Sequence, residues 1–236
     1  MASVRSARTT YSSAIAGATE YSDWILRLFG PSIRGAIAEV GIGHGSYADR
    51  LADQPGYTGI DLDPEAVEAA RERLPHGRFL AADISKREAM QAVGFGAFDT
   101  VLCFNVLEHV ADHGSAACNM LDLLRPRGRL LLFLPALQSL YGSLDRLAGH
   151  ERRYDKATVR ELFEGLATLR RVEYVNPLGG VGWWINSRVE HRDLDSTAVN
   201  AQIRLFTRYV MPLSRAVTPL TKGFFGQSLV VEAEKR

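Results

Sequence analysis

Short apolar runs and longer stretches of helical apolar spacing take turns along most of this chain. Tyr21, Trp24, Ile25, Leu26 and Phe29 recur at helical intervals and Gly30-Pro31 ends the run, which predicts a helical preface ahead of the first strand. Ile37 to Val40, Tyr57 to Ile60, Phe79 to Ala82, Phe98 to Phe104 and Leu130 to Leu134 are compact apolar runs. Between them lie amphipathic stretches after Ser46, from Pro64 to Leu74 and around Met120 to Leu124. Strands that alternate with helices imply a mostly parallel sheet covered on both faces, a doubly wound α/β fold.

Beyond Pro135 the rhythm changes. A polar stretch to Tyr154 precedes a predicted helix from Ala157 to Leu166 and a strand over Arg171 to Tyr174, and Ser228 to Glu232 reads as a last strand. Residues 177–226 read as an insertion expected to cap a site. It carries Val181-Gly182-Trp183-Trp184, then Ile203, Phe206, Val210, Leu213 and Val217 at helical spacing, with Pro212 expected to bend the helix. Arg204, Arg208 and Arg215 fall on another face of that helix, so a lid or a homodimer face is expected there, with an anionic membrane surface as the alternative. No Pro/Gly/Ser-rich linker divides the sequence, so 1–236 is taken as one domain, with 1–34 as its helical preface.

Charge and cysteine usage narrow the partners. Lys and Arg number 28 against 27 for Asp and Glu, which leaves no net field to hold a polyanion, and nucleic acid is not expected. The longest apolar stretch, Leu130 to Leu137, falls far short of the roughly 18–20 residues that span a bilayer. No stable membrane insertion is expected, and without an apolar signal region after Met1 a cytoplasmic location is expected by default. Cys103 and Cys118 lie in segments that read as buried strand and helix, so reduced core thiols are expected.

Candidate chemistry collects at predicted strand ends. Glu39-Val40-Gly41-Ile42-Gly43-His44-Gly45 stands between a strand and a helix, where glycines let the backbone turn sharply and approach a ligand. Asp61, followed by Leu62, ends the second strand at about the spacing from that loop where an acid meets ribose hydroxyls. Asp83 ends the third apolar run beside Ile84, where a carboxylate can meet an adenine amino group while Ile84 packs on the ring. Asn105-Val106-Leu107-Glu108-His109 follows the fourth.

In these motifs and their order, from about Ile37 to Pro135, the chain resembles the class I S-adenosylmethionine-dependent methyltransferases. Leu124-Arg125-Pro126-Arg127-Gly128 resembles that family's turn before the fifth strand, with Arg127 where glycine is usual. The resemblance implies a seven-stranded, mostly parallel, Rossmann-like sheet with Ser228 to Glu232 as its one antiparallel strand. It also implies S-adenosylmethionine as cofactor, with S-adenosylhomocysteine as product. Glu39, Gly41, Gly43, Gly45, Asp61, Leu62, Asp83, Ile84, Asn105 and Val106 are then the cofactor-binding set.

Methyl transfer from a sulfonium needs alignment and exclusion of water more than a catalytic triad. A hydroxyl acceptor gains from a general base, and histidine suits that role. His109 and His150 are the candidate bases, each with a bland alternative as a helix-capping or turn residue. Arg153 and Tyr154, in the polar cluster around His150, and Trp183 and Trp184 in the insertion are candidates to line the acceptor pocket. Some relatives hold a divalent ion through a Glu-His pair and a later histidine. Here Asn105 replaces their second glutamate, so no metal is expected at Glu108, His109 and His150. His191, among charged residues, is expected at the surface. The function expected is O-methylation of a small metabolite or saccharide. A non-enzymatic adenosylmethionine-binding module and an enzyme of cyclisation or rearrangement are the alternatives, and the glycine spacing disfavours an NAD-dependent oxidoreductase.

Overall fold

The computed structural model describes residues 19–190 and 197–236, so His191 lies outside the described residues. Seven strands form one sheet in the order β3-β2-β1-β4-β5-β7-β6. They are β1 (Ile37–Val40), β2 (Thr58–Asp61), β3 (Arg78–Ala81), β4 (Phe98–Phe104), β5 (Leu124–Pro135), β6 (Ala167–Val175) and β7 (Ser228–Lys235). Pairing from β3 through to β5 is parallel, whereas β7 runs antiparallel to both β5 and β6. Because the strand order reverses between β1 and β4, the loops after their carboxyl ends diverge and leave a crevice, the usual ligand position in such sheets.

Helices cover both faces. On one, α5 (His113–Leu123) and α7 (Lys156–Leu162) lie over the sheet, with Met120, Leu123, Val159 and Phe163 almost wholly buried among strand residues such as Leu130 and Leu132. On the other lie α1 (Thr19–Phe29) and α3 (Pro64–Arg73), together with the end of the insertion at Phe206 and Met211. The preface is therefore part of the core. Phe29 stacks on Phe104 at 5.0 Å and Trp24 meets Phe133 edge-on at 6.1 Å. Such aromatic pairs add about 0.5–1.5 kcal/mol each beyond area burial. The remaining short helices are α2 (Ala48–Leu51), α4 (Arg87–Met90) and α6 (Ser143–Ala148).

The insertion contains α8 (Pro177–Asn186), α9 (Thr197–Leu205), a π-helical turn (Phe206–Val210) and α10 (Met211–Thr221). Pro212 sits in the first turn of α10, just after the π turn. A proline there lacks the N–H that would continue the ladder and crowds the carbonyl four residues back, and the widened turn accommodates both effects. A buried polar clamp fixes the insertion to the sheet. Asn176 accepts from Ser214 Oγ at 2.7 Å and donates to Gln227 at 2.7 Å, while Leu178 N–H reaches Ser214 Oγ at 3.0 Å. Among the described residues no helix is long and apolar enough to cross a membrane.

Candidate active site

The glycine loop leaves β1 along a path that other residues do not readily follow. Gly41, Gly43 and Gly45 all have positive φ, 81°, 48° and 79°. A Cβ on Gly41 would lie 2.1 Å from Val106 Cγ2, so the β1 loop and the end of β4 touch at a point only glycine permits. Asn105 makes the matching turn on the β4 side with φ 54°, and asparagine is among the few residues that tolerate that region. The loop is braced from β2. Asp61 Oδ2 accepts Gly43 N–H at 2.8 Å and Oδ1 accepts Asp63 N–H at 2.9 Å.

A carboxylate has about four acceptor positions, so Asp61 can hold the loop and still receive a vicinal diol. Leu62 next to it is 70% exposed, an apolar side chain at a strand end that a flat ring would cover. Asp83 Oδ1 accepts both N–H and Oγ–H of Ser85, at 2.8 and 2.7 Å, and Ile84 is buried behind it. Glu39 lies fully buried under the loop. Tyr57 donates to its Oε2 at 2.6 Å, whereas Oε1 has no partner. Burial, with Asp61 and Asp49 adding repulsion and the Tyr57 hydrogen bond opposing, pushes its carboxyl up to about 8. A crevice with an unsatisfied buried carboxylate, a glycine cradle and an exposed apolar edge fits a cationic nucleoside such as S-adenosylmethionine.

A second group of side chains stands beyond Val106. His109 N–H bonds to Val106 O at 2.9 Å, closing the short turn that presents Glu108 and His109 at the end of β4. Gly149, in left-handed conformation with φ 79°, turns the chain so that His150 faces them. The two imidazoles meet edge-on at 4.7 Å between centroids. Each has its Nδ1 engaged: His109 with Gly149 O at 3.3 Å, His150 with Asp145 Oδ1 at 2.8 Å. Nε2 of His150 stands 4.0 Å from Glu108 Oε1, beyond hydrogen-bond reach.

Asp145 is the hub of this group. Besides His150 it receives Arg153 Nε at 2.9 Å, Trp183 Nε1 at 3.2 Å and the Gly142 backbone N–H at 3.0 Å. Burial alone would raise its carboxyl, but His150 and Arg153 hold it below the usual carboxylate range. An ionised Asp145 requires the proton of His150 on Nδ1 and leaves Nε2 as the basic nitrogen. Burial, then the neighbouring His150, pulls His109 down to about 4, so this imidazole is neutral near neutral pH. Glu108 is fully buried with no partner for either oxygen, and burial pushes it up to about 7 against the pull of His150 and Arg153.

The cluster thus joins Glu108, His109, His150, Asp145, Arg153 and Trp183. Arg153 is almost wholly buried and its donors are taken by Asp145 and by Ala136 O at 3.0 Å. It positions Asp145 from behind. Tyr154 is fully buried too, its hydroxyl donating to Leu107 O at 3.1 Å beside His113 Nδ1 at 3.1 Å, so it packs beneath the cluster and has no surface to offer a ligand. Trp184 points away, 46% exposed under the Arg188 guanidinium. Asp145 carries no signal in the sequence alone. Its partners are five, eight and 38 residues away, and in Ser143-Leu144-Asp145-Arg146 it reads as a helix-surface acid.

The expectation of no metal meets one contrary observation. Ligand atoms of Glu108, His109 and His150 all lie within 4.8 Å of one another. His150 Nε2 stands 4.0 Å from the unpartnered Glu108 carboxyl, and the hydrogen bonds at both Nδ1 atoms fix the two rings as outer hydrogen bonds do in metal centres. One carboxylate and two imidazoles suit a borderline transition metal better than magnesium or calcium, which want more oxygen ligands.

A sheet of this order with a glycine cradle at its switch point is the arrangement in which open α/β sheets hold nucleotide-like ligands. Residues 38–130 match the family model described as a methyltransferase domain. A ubiquinone biosynthesis O-methyltransferase of Xanthomonas euvesicatoria pv. vesicatoria is 36% identical over 98 residues, 41% of this chain and 41% of that protein. The chain thus matches about two fifths of the length of that curated relative. Among solved structures, a SAM-dependent methyltransferase from Archaeoglobus fulgidus superposes with TM-score 0.59 at 14% identity, over 92% of this chain and 94% of that one. The N-methyltransferase NodS of Bradyrhizobium japonicum, in complex with S-adenosylhomocysteine, gives TM-score 0.53 at 19% identity over 92% and 86%. Residues 38–130 thus match a methyltransferase domain, and the sheet has the fold of the S-adenosylmethionine-dependent methyltransferases.

Proposed function

We propose that this protein moves a methyl group from S-adenosylmethionine to a hydroxyl of a small acceptor, with His150 as the general base. The observation that carries the proposal is the Asp145–His150 pair at 2.8 Å, a buried carboxylate holding an imidazole in the tautomer whose free nitrogen faces the end of β4. The bound cofactor supplies an activated methyl on a positive sulfur. Glu39, the glycine loop, Asp61 and Asp83 hold and orient it, and Leu62 and Ile84 shield the crevice from water.

His150 Nε2 would take the proton from the acceptor hydroxyl as its oxygen accepts the methyl, leaving S-adenosylhomocysteine as the other product. Asp145 stabilises the imidazolium that forms, and Arg153 and Trp183 keep Asp145 in place. The helix α8 rests on this region through Trp183, so residues 177–226 would cover the acceptor. The name of the Xanthomonas relative, an O-methyltransferase, agrees with a hydroxyl acceptor.

His150→Ala should lower turnover about 10²–10⁴-fold, the range for a lost general base, on whichever member of a catechol and saccharide panel the wild type methylates, with adenosylmethionine affinity unchanged. Normal turnover in that variant would remove His150 from the reaction. The convergence of Glu108, His109 and His150 supports a second reading, in which a transition metal ion occupies their centre and activates the acceptor oxygen in place of the base. Full turnover after exhaustive chelation would eliminate it.

A further inference from the structure

The insertion leaves an apolar stripe facing outward. Leu205, Tyr209, Leu213, Leu220 and Phe224 are between 59% and 79% exposed, and the spacing of the first four is four, four and seven. Spacings of four and seven place Leu205 to Leu220 on one side of the helix. The stripe runs from the end of α9 through the π turn and along α10, roughly 23 Å from Leu205 to Leu220 at helical rise. Five large apolar side chains in one exposed row are unusual for a surface that meets only water.

The charge beside the stripe says what meets it. Arg204, Arg208 and Arg215, four and seven residues apart, fall along one flank beside it. Between Thr197 and Gln227 there is no Asp or Glu, and none of the three arginines has a carboxylate partner among the described residues. A second copy docked by the same face would set one arginine row against another with nothing to neutralise either. An anionic bilayer satisfies both features, taking the apolar row into the acyl boundary and the arginines among the headgroups. The helix packed on this element, α8, exposes Trp184 and Ile185 as well, with the Arg188 guanidinium 3.6 Å over the Trp184 ring.

We infer that residues 197–224 form a peripheral docking surface for an anionic lipid bilayer. The α8 helix carries Trp183, which bonds to Asp145, so a docked protein holds its acceptor site close to the membrane plane. That last link rests on the proposed acceptor site; the docking itself does not.

The test is co-sedimentation of the full chain with phosphatidylcholine vesicles and with vesicles carrying about a third phosphatidylglycerol. Binding is expected to the anionic vesicles alone, to weaken several-fold as salt is raised from 50 to 300 mM, and to be lost in Leu213→Glu/Leu220→Glu. Arg204→Gln/Arg208→Gln/Arg215→Gln should keep only salt-insensitive residual binding. Calorimetric titration with adenosylmethionine checks that each variant is folded, and an unchanged cofactor affinity separates failure of docking from failure of the site. No binding to anionic vesicles at low salt, equal binding to neutral ones, or a dimer in sedimentation equilibrium that Leu213→Glu/Leu220→Glu dissociates, would each overturn the inference.

Discussion

The contact between Gly41 and Val106 offers a prediction that needs no knowledge of the acceptor. In Gly41→Ala the new methyl would lie 2.1 Å from Val106 Cγ2, in a backbone with φ 81°. A side chain in that left-handed region costs about 1–2 kcal/mol, and overfilling a packed contact typically about 1–3 kcal/mol, so about 2–5 kcal/mol is expected. A chain of this length loses about 2–4 °C of Tm per kcal/mol, which places the variant roughly 4–20 °C below wild type in thermal unfolding followed by circular dichroism. Gly45 is the control, because φ is similar, 79°, but the atom its Cβ would meet, 1.8 Å away, is the guanidinium tip of Arg73. That side chain can swing aside, so Gly45→Ala should lose only the backbone share, about 1–2 kcal/mol. Val106→Ala in the Gly41→Ala background removes the opposing methyl, and the double-mutant cycle should return a coupling of about 1–3 kcal/mol. If Gly41→Ala unfolds no earlier than Gly45→Ala, or the cycle is additive, the loop and the end of β4 do not meet as described.

Three further outcomes rest on the same physics. Asp145→Asn strips the ion pair from Arg153, whose side chain is 2% exposed, and should cost about 3–5 kcal/mol in urea denaturation, the penalty for an unpaired buried charge; an unchanged midpoint would show the pair to be idle. In the cofactor-free protein Glu39 keeps its proton up to about pH 8, against an ordinary value of 4.5, so folding binds a proton across that window and stability declines as pH rises through it. Glu39→Gln should flatten that decline in Tm measured from pH 5 to 8, and an equally steep profile would contradict the burial argument. Arg127 has φ 63°, a left-handed backbone that glycine adopts without strain, so Arg127→Gly should raise stability by about 0.5–1 kcal/mol, strain relief less the added freedom of the unfolded chain; a loss would refute it.

Much of the fold follows from local pattern. β1 and β4 occupy the predicted residues because each is a largely apolar run between polar breaks, and the cradle residues sit where those runs end. The start of β5 at Leu124 is hidden in the sequence because Arg125 to Gly128 form an irregular stretch between the Phe98–Leu124 and Thr100–Arg129 pairings, with Arg127 turning at φ 63°. The antiparallel placement of β7 comes from family resemblance and not from periodicity, since a short apolar run says nothing about direction. Helix α7 ends at Leu162, earlier than its spacing suggests, because Phe163 turns inward and Gly165, with φ 73°, starts the approach to β6. At the site, the sequence-local motifs around Glu39, Asp61, Asp83 and Glu108 can be read directly. The role of Asp145 depends on contacts made only after folding, and so does the difference between Trp183, turned in to Asp145, and Trp184, turned out.

The most direct test of the cofactor site is calorimetric titration of the wild type and Asp61→Ala with S-adenosylmethionine, S-adenosylhomocysteine and NAD. The wild type is expected to bind the first two and not NAD. Asp61→Ala, which loses charge-assisted hydrogen bonds of about 1.5–3 kcal/mol, is expected to bind both at least tenfold more weakly. Binding of NAD alone, or an Asp61→Ala variant with undiminished affinity, would contradict the assignment.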